Sequence, residues 1–335
     1  MKEKRYVLLP QPIQKQAVQL LEKNGIEVVD APEPDTEIIA PLMKNACAVV
    51  LRTGIHMTAD LMDCAHNLLT ISRTGAGFDN VDVRAATERG IIVTSSIGIN
   101  TSTVVEHCLA LMLCVIKQLF LLDREMRKGN FTIRYQSLPR DLEGRTLSIV
   151  GFGRIGSLLA EKCNRLFSMK VVAHDPYLDV GKREEYARWV DFVDFEEVFR
   201  QADVLSVHIP LTDETRGIIT MKQLRLMKPD AIIINASRGG VVSEKDLIEA
   251  LEKKIIAGAG LDVYEVEPVE ENNPLLEMDN VVLTPHVAAL TKDSEVRMAL
   301  SAAQRVIDLL NGVRSPNIAN PEVLAQERWR HLKKK

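Results

Sequence analysis

The chain has 335 residues, of which 46% are hydrophobic and 26% are charged. This length favours two domains, and this composition excludes a mainly disordered chain. A formal net charge of −4 provides no general attraction to nucleic acid or anionic lipid, so we expect neither as a partner.

The five cysteines are widely spaced, and none forms a Cys-x-x-Cys pair or a Cys/His pair at metal-ligand spacing. We therefore expect buried thiols in a reducing compartment, and no metal site. The apolar run near the N-terminus is too short for a signal-peptide core, and the longest apolar run, residues 108–116, is too short to span a bilayer. These features predict a cytoplasmic protein without a membrane segment.

In the first 95 residues or so, short β-branched runs alternate with helical patterns, which predicts a parallel sheet with crossover helices. The predicted strands are 6–9, 26–29, 48–51, 68–71 and 91–93. One long helix is then expected over about residues 101–128, where it would link two domains. The polar segment 129–144, called the arm below, has no clear periodicity and is predicted to be irregular.

A second alternating series predicts six strands, at 147–150, 170–173, 204–207, 231–235, 256–261 and 281–283. Six strands with helices between them match a doubly wound dinucleotide-binding sheet. A further helix is predicted over about residues 292–310. The basic run 328–335 is expected to be a solvated tail.

A glycine-rich sequence, Gly-Phe-Gly-Arg-Ile-Gly, lies between a predicted strand and a helical pattern. Gly151, Gly153 and Gly156 would permit a tight turn and the close approach of a pyrophosphate to the start of the helix. Asp175 ends the next strand, where its carboxylate could accept hydrogen bonds from ribose hydroxyls and repel a 2'-phosphate, so NAD is favoured over NADP. Taken alone, the glycines could instead form a turn without a ligand, and Asp175 could merely start an Asp-Pro turn.

Three later strand ends carry side chains suited to the reduction of a 2-oxo acid. This reaction needs a cation for the carboxylate, an acid for the carbonyl oxygen and a group that tunes this acid. Arg238 offers a guanidinium fork, His286 offers an imidazole, and an acidic segment that includes Glu267 lies between them. Individually, Arg238 could be a surface ion-pair partner and His286 a structural residue.

Five segments, in chain order, resemble the signatures of the D-isomer-specific 2-hydroxyacid dehydrogenase family, which includes phosphoglycerate dehydrogenases, hydroxypyruvate or glyoxylate reductases and formate dehydrogenases. They are the glycine loop, Pro-Leu-Thr-x-x-Thr at 210–215, Asn-x-x-Arg-Gly-Gly at 235–240, Asp-Val-x-x-x-Glu-Pro at 262–268 and Thr-Pro-His at 284–286. The resemblance implies a doubly wound Rossmann cofactor domain, residues 99–290, inserted in a flavodoxin-like parallel-sheet substrate domain, residues 1–98 and 291–335. It also implies catalysis in the cleft between them, and a homodimer formed through the long helix and the arm.

The resemblance also implies individual roles. Arg238 would orient the substrate carboxylate and carbonyl, His286 would donate or accept the proton, and Glu267 would hydrogen-bond the imidazole. Asp262 would contact the nicotinamide side of NAD. The other cofactor contacts implied are Ala76, Gly151, Gly153, Arg154, Ile155, Gly156, Asp175, Ile209, Pro210, Ala236, Ser237 and Ala288, with Arg238 and His286. The substrate contacts implied are Arg52, Thr53, Gly75, Ala76, Arg238 and His286, although Arg52 could instead be an exposed strand-end arginine.

The implied activity is the NAD-dependent interconversion of a D-2-hydroxy acid and a 2-oxo acid by hydride transfer. The expected substrates are the pair 3-phosphoglycerate/phosphohydroxypyruvate, or else hydroxypyruvate or glyoxylate as the 2-oxo acid. Formate dehydrogenase chemistry is disfavoured because Glu267 stands where those enzymes have glutamine. Phe131 departs from the family pattern, which commonly has tryptophan there, so substrate fit or packing at a subunit interface could differ. We expect no C-terminal regulatory domain. The alternative is an NAD(H)-sensing, corepressor-like binding protein on the same fold.

Overall fold

The computed structural model describes residues 6–333 and divides the chain into two compact units. Unit 1 comprises Met1–Asn100 and Ala289–Lys335, and unit 2 comprises Thr101–Ala288. The domain boundaries predicted from the sequence were 98/99 and 290/291. Each unit contains one sheet in which the paired strands run parallel, which confirms the predicted α/β class.

Twelve strands and twelve α-helices lie within residues 6–333. The strands are β1 (Tyr6–Leu9), β2 (Glu27–Asp30), β3 (Ala46–Leu51), β4 (Thr70–Arg73), β5 (Ile92–Thr94), β6 (Thr146–Val150), β7 (Lys170–His174), β8 (Val190–Phe192), β9 (Val204–Val207), β10 (Ile232–Asn235), β11 (Gly258–Leu261) and β12 (Val281–Leu283). The helices are α1 (Lys15–Lys23), α2 (Thr36–Met43), α3 (Ala59–Asp63), α4 (Val83–Glu88), α5 (Thr101–Ile116), α6 (Leu119–Arg127), α7 (Arg154–Phe167), α8 (Val180–Tyr186), α9 (Phe195–Arg200), α10 (Met221–Leu224), α11 (Glu244–Glu252) and α12 (Lys292–Leu310).

The sheet of unit 1 has the strand order β2-β1-β3-β4-β5, which is the flavodoxin-like order. Its third strand is buried along its whole length, as expected for a parallel strand covered on both faces. Helix α12 packs on this sheet beside α1, although the two helices are far apart in sequence. Its buried face includes Ala299, Ala302 and Ala303, whose small side chains let the helix approach Val7 and Leu9 of β1 closely.

The C-terminal segment is not the solvated tail that its basic composition suggested. Trp329 is only 4% exposed and packs with Ile92 and Val323, while its indole Nε1 donates a hydrogen bond to the carbonyl oxygen of Gly90 (2.9 Å). Burial of the large apolar surface of Trp329 therefore holds this segment on the protein, although its neighbours are charged. Residues 334 and 335 of the predicted tail lie outside the described part of the chain.

Replacement of Trp329 with alanine is expected to lower the free energy of unfolding by about 3–5 kcal/mol, because it empties a buried site and removes the hydrogen bond to Gly90. Urea unfolding followed by circular dichroism measures this change. Arg330→Ala is the control, since the Arg330 side chain is 74% exposed and its loss should cost less than about 0.5 kcal/mol. Equal stability of the Trp329→Ala variant and the parent would contradict the packing.

The sheet of unit 2 has the strand order β12-β11-β10-β9-β6-β7-β8. Its seventh strand, β8, was missed from the sequence because it is a three-residue edge strand, too short to show a clear alternation. The chain runs outward from β6 through β7 to β8, and then continues from β9, on the other side of β6, outward to β12. This change of direction between β6 and β9 is a topological switch point, where parallel sheets bind ligands at the carboxyl ends of their strands.

The single long helix predicted over residues 101–128 is wrong. Helix α5 ends at Ile116, α6 begins at Leu119, and the two axes are bent by 59°. Gln118 adopts a left-handed conformation (φ 51°), which a right-handed helix cannot contain. The arm supplies the partners at this break: the N–H of Arg140 donates to the carbonyl oxygen of Ile116 (3.2 Å), and the hydroxyl of Ser137 donates to the Gln118 amide oxygen.

Within residues 6–333, no single helix is both long enough and apolar enough to cross a bilayer. The bent pair α5 and α6 meets the length and composition requirements only when the two helices are taken together.

Candidate active site

The carboxyl-end edge of the sheet in unit 2 collects most of the side chains singled out from the sequence. Adjacent parallel strands end at the same edge, so residues that are distant in the chain become neighbours there. In spatial order across this edge, the residues that follow the strands are His286 after β12, Asp262 and Glu267 after β11, Arg238 after β10, Ile209 and Pro210 after β9, Gly151 after β6 and Asp175 after β7.

His286 and Glu267 form a close pair in this edge. The imidazole Nδ1 lies 2.7 Å from Glu267 Oε2, and the other carboxylate oxygen accepts the backbone N–H of Tyr264 (3.1 Å). Because an ionised carboxylate only accepts hydrogen bonds, Nδ1 carries a proton and Nε2 is left for proton exchange. The His286 side chain is 47% exposed, so this nitrogen belongs to an accessible imidazole.

Arg238 lies on a loop whose shape is set by Asn235, the last residue of β10. The Asn235 amide donates to the carbonyl oxygen of Arg238 (3.0 Å) and accepts from both the backbone N–H and the hydroxyl of Ser237 (3.1 and 2.8 Å). Arg238 itself is half-buried and donates from Nη1 to the carbonyl oxygen of Ser237 (2.7 Å). Gly239 follows, where a Cβ would lie 1.7 Å from the carbonyl oxygen of Tyr264, so only glycine fits.

Asp262 is fully buried, and its carboxylate accepts hydrogen bonds from groups around the His286 segment. The Thr284 hydroxyl (2.6 Å) and the Val287 N–H (2.9 Å) donate to Oδ1, and the Ala288 N–H (2.8 Å) donates to Oδ2. Burial alone would raise the pKa of Asp262, but the hydrogen bonds from His107, Thr284 and the two backbone groups together lower it below its ordinary value. Asp262 is therefore an ionised carboxylate. Its predicted contact with nicotinamide stays a prediction.

The glycine loop has the features that a dinucleotide pyrophosphate requires. Gly151 adopts φ 93° and approaches the carbonyl oxygen of His208 so closely that a Cβ would lie 2.6 Å from it. A Cβ on Gly156 would lie 2.2 Å from the carbonyl oxygen of Gly151. Gly153 is the N-cap of α7 and has no side chain to occupy the first-turn N–H groups, which leaves them for an anion. The chain's own residues therefore fit NAD here.

The residues around this loop continue the same surface. Asp175 accepts the N–H of Phe152 with Oδ2 (2.8 Å) and the N–H of Tyr177 with Oδ1 (2.9 Å). Each oxygen keeps acceptor capacity for a ribose hydroxyl. The other predicted contacts of unit 2 lie at the first turn of α7 or at neighbouring strand ends: Arg154, Ile155, Ile209, Pro210, Ala236, Ser237 and Ala288.

The remaining predicted residues belong to unit 1. Arg52 follows β3, and its guanidinium pairs with Glu295 (2.9 Å) and donates to the carbonyl oxygen of Pro12 (3.0 Å). Thr53 is exposed, Gly75 and Ala76 are half-buried, and the carbonyl oxygen of Gly75 accepts the N–H of Ser96 (2.9 Å). Arg52 thus has protein partners within unit 1, and the substrate contacts assigned to all four residues stay predictions.

Two residues of this edge were missed from the sequence. Tyr264 is buried and donates from its hydroxyl to the carbonyl oxygen of Thr284 (3.0 Å), which ties the Glu267 segment to the His286 segment. The position of Tyr264 inside the Asp-Val-x-x-x-Glu-Pro segment could have identified it as a residue of the site. His107, on α5, hydrogen-bonds Thr284 through Nε2 (2.9 Å), and its sequence context gave no signal at all.

Comparison with known proteins assigns this arrangement to a family. Residues 109–288 match the sequence model described as D-isomer specific 2-hydroxyacid dehydrogenase, NAD binding domain. A D-3-phosphoglycerate dehydrogenase of Archaeoglobus fulgidus is 38% identical over 94% of this chain, and a glyoxylate reductase of Korarchaeum cryptofilum is 37% identical over 88% of it. The chain spans 59% of the length of the first relative and 89% of the second.

A solved structure shows the same likeness in three dimensions. The glyoxylate reductase of Paecilomyes thermophila superimposes with a TM-score of 0.85 at 28% identity, over 96% of this chain and 99% of that one. At this coverage the match includes residues of both units. The chain therefore belongs to the D-isomer specific 2-hydroxyacid dehydrogenase family, and the matched residues are its NAD-binding domain.

Proposed function

We propose that the chain catalyses the NAD-dependent interconversion of a D-2-hydroxy acid and a 2-oxo acid, with Arg238, Glu267 and His286 as its catalytic residues. The observation that carries this proposal is the 2.7 Å contact between His286 Nδ1 and Glu267 Oε2. This pair lies on the same sheet edge as the Arg238 loop and the glycine loop. A proton donor, a cation and a cofactor cradle thus occur on one rigid scaffold.

Each catalytic residue is assigned a different role in the reduction of the oxo acid. NADH, when bound, supplies the hydride for C2 of the oxo acid. Arg238 binds the substrate carboxylate, and His286 holds a proton at Nε2 and donates it to the carbonyl oxygen. Glu267 keeps the imidazole oriented through Nδ1, and its negative charge stabilises the imidazolium. In the oxidative direction His286 accepts the proton from the hydroxyl group instead.

The relatives narrow the choice of substrate. Those named above are a phosphoglycerate dehydrogenase and glyoxylate reductases, and a hydroxypyruvate reductase of Thermotoga maritima is also similar. We therefore expect 3-phosphoglycerate/phosphohydroxypyruvate as the physiological pair, or else hydroxypyruvate or glyoxylate as the 2-oxo acid that is reduced. The test is a panel of these 2-oxo acids with NADH, followed at 340 nm and ranked by kcat/KM. Binding of NADH without reduction of any 2-oxo acid would overturn the proposal in favour of an NAD(H)-sensing protein.

Asp175 is proposed to set the preference for NADH over NADPH. Replacement with alanine is expected to weaken NADH binding about tenfold, because a hydrogen bond to a charged group is lost, and to improve the relative use of NADPH. Dissociation constants for both nucleotides, measured by fluorescence titration, check this. Asp191→Ala is the control, since Asp191 is an exposed acid on β8 of the same unit. An unchanged NADH/NADPH ratio in Asp175→Ala would mean that another residue sets the preference.

A homodimer is proposed to form through α6 and the arm. Solvated surfaces rarely carry this many exposed large apolar side chains close together in the sequence. Six of them here are 48–73% exposed: Leu119, Phe120, Met126, Phe131, Tyr135 and Leu138. A second copy of the chain would cover them in a self-complementary contact. All six lie on α6 or on the arm that follows it, within residues 119–138.

Light scattering should give a molar mass of twice 37.4 kDa for the parent protein. The double replacement Phe120→Glu and Tyr135→Glu is expected to halve this mass, because it places charge in an apolar contact. Leu166→Glu is the matched control, since Leu166 is 67% exposed on α7 and lies outside this surface. A parent protein of 37.4 kDa at micromolar concentration would rule out the dimer.

The proposed location is the cytoplasm. None of the five cysteines, all within residues 6–333, forms a disulfide; three of them, Cys47, Cys108 and Cys163, are buried and the other two are half-buried. Burial raises the pKa of the Cys108 and Cys163 thiols to about 12. Such protonated thiols resist oxidation and metal binding. Cysteines that form no disulfide are typical of proteins kept in a reducing compartment.

A further inference from the structure

A chain of polar groups connects helix α5 with the segment that carries His286. His107 Nε2 lies 2.9 Å from the Thr284 hydroxyl, and this hydroxyl lies 2.6 Å from Asp262 Oδ1. His107 Nε2 is also 3.5 Å from the same carboxylate oxygen. All three residues belong to unit 2, and His107 is separated from Thr284 by 177 residues in sequence.

The direction of each hydrogen bond follows from what each group can donate. Asp262 is an ionised carboxylate and only accepts. The Thr284 hydroxyl has one proton, and the shortest of its contacts directs that proton to Asp262. Its oxygen must then accept from His107, so the His107 imidazole carries a proton on Nε2. His107 Nε2, the Thr284 hydroxyl and Asp262 Oδ1 thereby each have a defined donor or acceptor role.

At the Asp262 end, this chain of polar groups holds the backbone of the His286 segment. Asp262 accepts the N–H groups of Val287 and Ala288, the two residues that follow His286. His286 itself has φ 51°, a left-handed conformation that non-glycine residues adopt only when their surroundings hold them there. On the other side of His286, the carbonyl oxygen of Thr284 accepts from Tyr264. The segment is thus anchored both before and after the imidazole.

We propose that His107 and Thr284 are positioning residues that orient the Asp262 carboxylate and, through it, hold the backbone at His286 in the conformation that aims the imidazole at the substrate. This inference rests on the proposed function, because it assigns further residues to the same reaction. Neither side chain touches the reacting atoms. Their effect is transmitted by hydrogen bonds through Asp262, so removal of either group should loosen the His286 segment while Arg238 and the glycine loop keep their structure.

Two pairs of variants test the proposal. Thr284→Val removes the hydroxyl at nearly constant volume, and Thr284→Ser retains it. His107→Leu removes the ring nitrogens, and His107→Gln retains a donor near the position of Nε2. The Val and Leu variants are expected to lose on the order of ten- to a hundredfold in kcat, as expected when a catalytic group is misplaced by about 1 Å. The Ser and Gln variants should stay near the parent, and the NADH dissociation constant should change by less than about twofold in all four.

Hydrogen–deuterium exchange followed by mass spectrometry supplies a readout that does not depend on turnover. Peptides covering residues 284–290 should exchange faster in Thr284→Val and His107→Leu than in the parent, and peptides covering the glycine loop should not change. Val105→Ala is the matched control for general loosening of α5, since Val105 is fully buried on that helix and is not one of the polar residues. It should lower the melting temperature and leave both kcat and exchange at residues 284–290 near the parent values.

The outcomes separate this inference from the proposed function. Unchanged exchange at residues 284–290 in both Thr284→Val and His107→Leu would overturn the inference, as would faster exchange with an unchanged kcat. A parent protein that reduces no 2-oxo acid would instead overturn the proposed function, and the exchange measurement would still show whether His107 and Thr284 hold the segment. Recovery of kcat in Thr284→Ser and His107→Gln would support a positioning role over loss of packing.

Discussion

Replacement of His286 with alanine is expected to lower kcat about a hundredfold or more while the dissociation constant of NADH stays near that of the parent. In the proposed function the imidazole exchanges a proton with the substrate oxygen, and loss of a positioned acid or base typically costs a factor of that size. NADH binding should persist because the glycine loop and Asp175 lie at other strand ends of the sheet. Steady-state assays at 340 nm and fluorescence titration with NADH measure the two quantities.

A control variant guards against a general effect of losing an imidazole. His66 is exposed in unit 1, and His66→Ala should leave kcat unchanged. The Glu267 carboxylate remains in the His286→Ala variant without its imidazole partner, and its exposed fraction of 36% lets water take that place. Equal kcat in His286→Ala and the parent would remove His286 from the mechanism.

Replacement of Arg238 with lysine is expected to lower kcat/KM about a hundredfold, mostly through a higher KM for the oxo acid. A guanidinium can donate two parallel hydrogen bonds to a carboxylate, whereas an ammonium provides only a point charge. The loss of one hydrogen bond between charged groups is worth about 3 kcal/mol at most, which corresponds to about a hundredfold. Because the positive charge is retained, this change tests geometry separately from charge.

Arg225→Lys is the matched control for the Arg238 variant. Arg225 is exposed at the end of α10 in the same unit, so its replacement should leave kcat/KM and NADH binding unchanged. The Arg238 loop should keep its shape in the variant, since the Asn235 side chain hydrogen-bonds the backbone of residue 238 and the backbone and hydroxyl of Ser237, not the side chain of residue 238. Unaltered kcat/KM in Arg238→Lys would mean that the carboxylate is held elsewhere.

The sequence pattern predicted the secondary structure correctly where an element buries one face in a core, because apolar residues then recur along the sequence at a regular spacing. The helix predicted over residues 292–310 is α12 (Lys292–Leu310), because a long amphipathic pattern leaves little choice. The prediction failed where distant parts of the chain decided the outcome. The break after Ile116 depends on partners from the arm, and the burial of Trp329 depends on Gly90 and Ile92, which no local pattern near either site encodes.

By itself the sequence determined the α/β class, the strand ends on which Arg238, Glu267 and His286 lie, and the family that these segments share. These features are local, because a glycine turn or a strand followed by a polar residue is encoded within a few positions. Only the tertiary structure decided how those strand ends meet. The pairing of Glu267 with His286, and of His107 with Thr284 across 177 residues, arises from the order in which parallel strands associate and from α5 packing against them. Hydrogen bonds between such distant residues form only after the hydrophobic core has placed the strands, so they leave no period in the sequence.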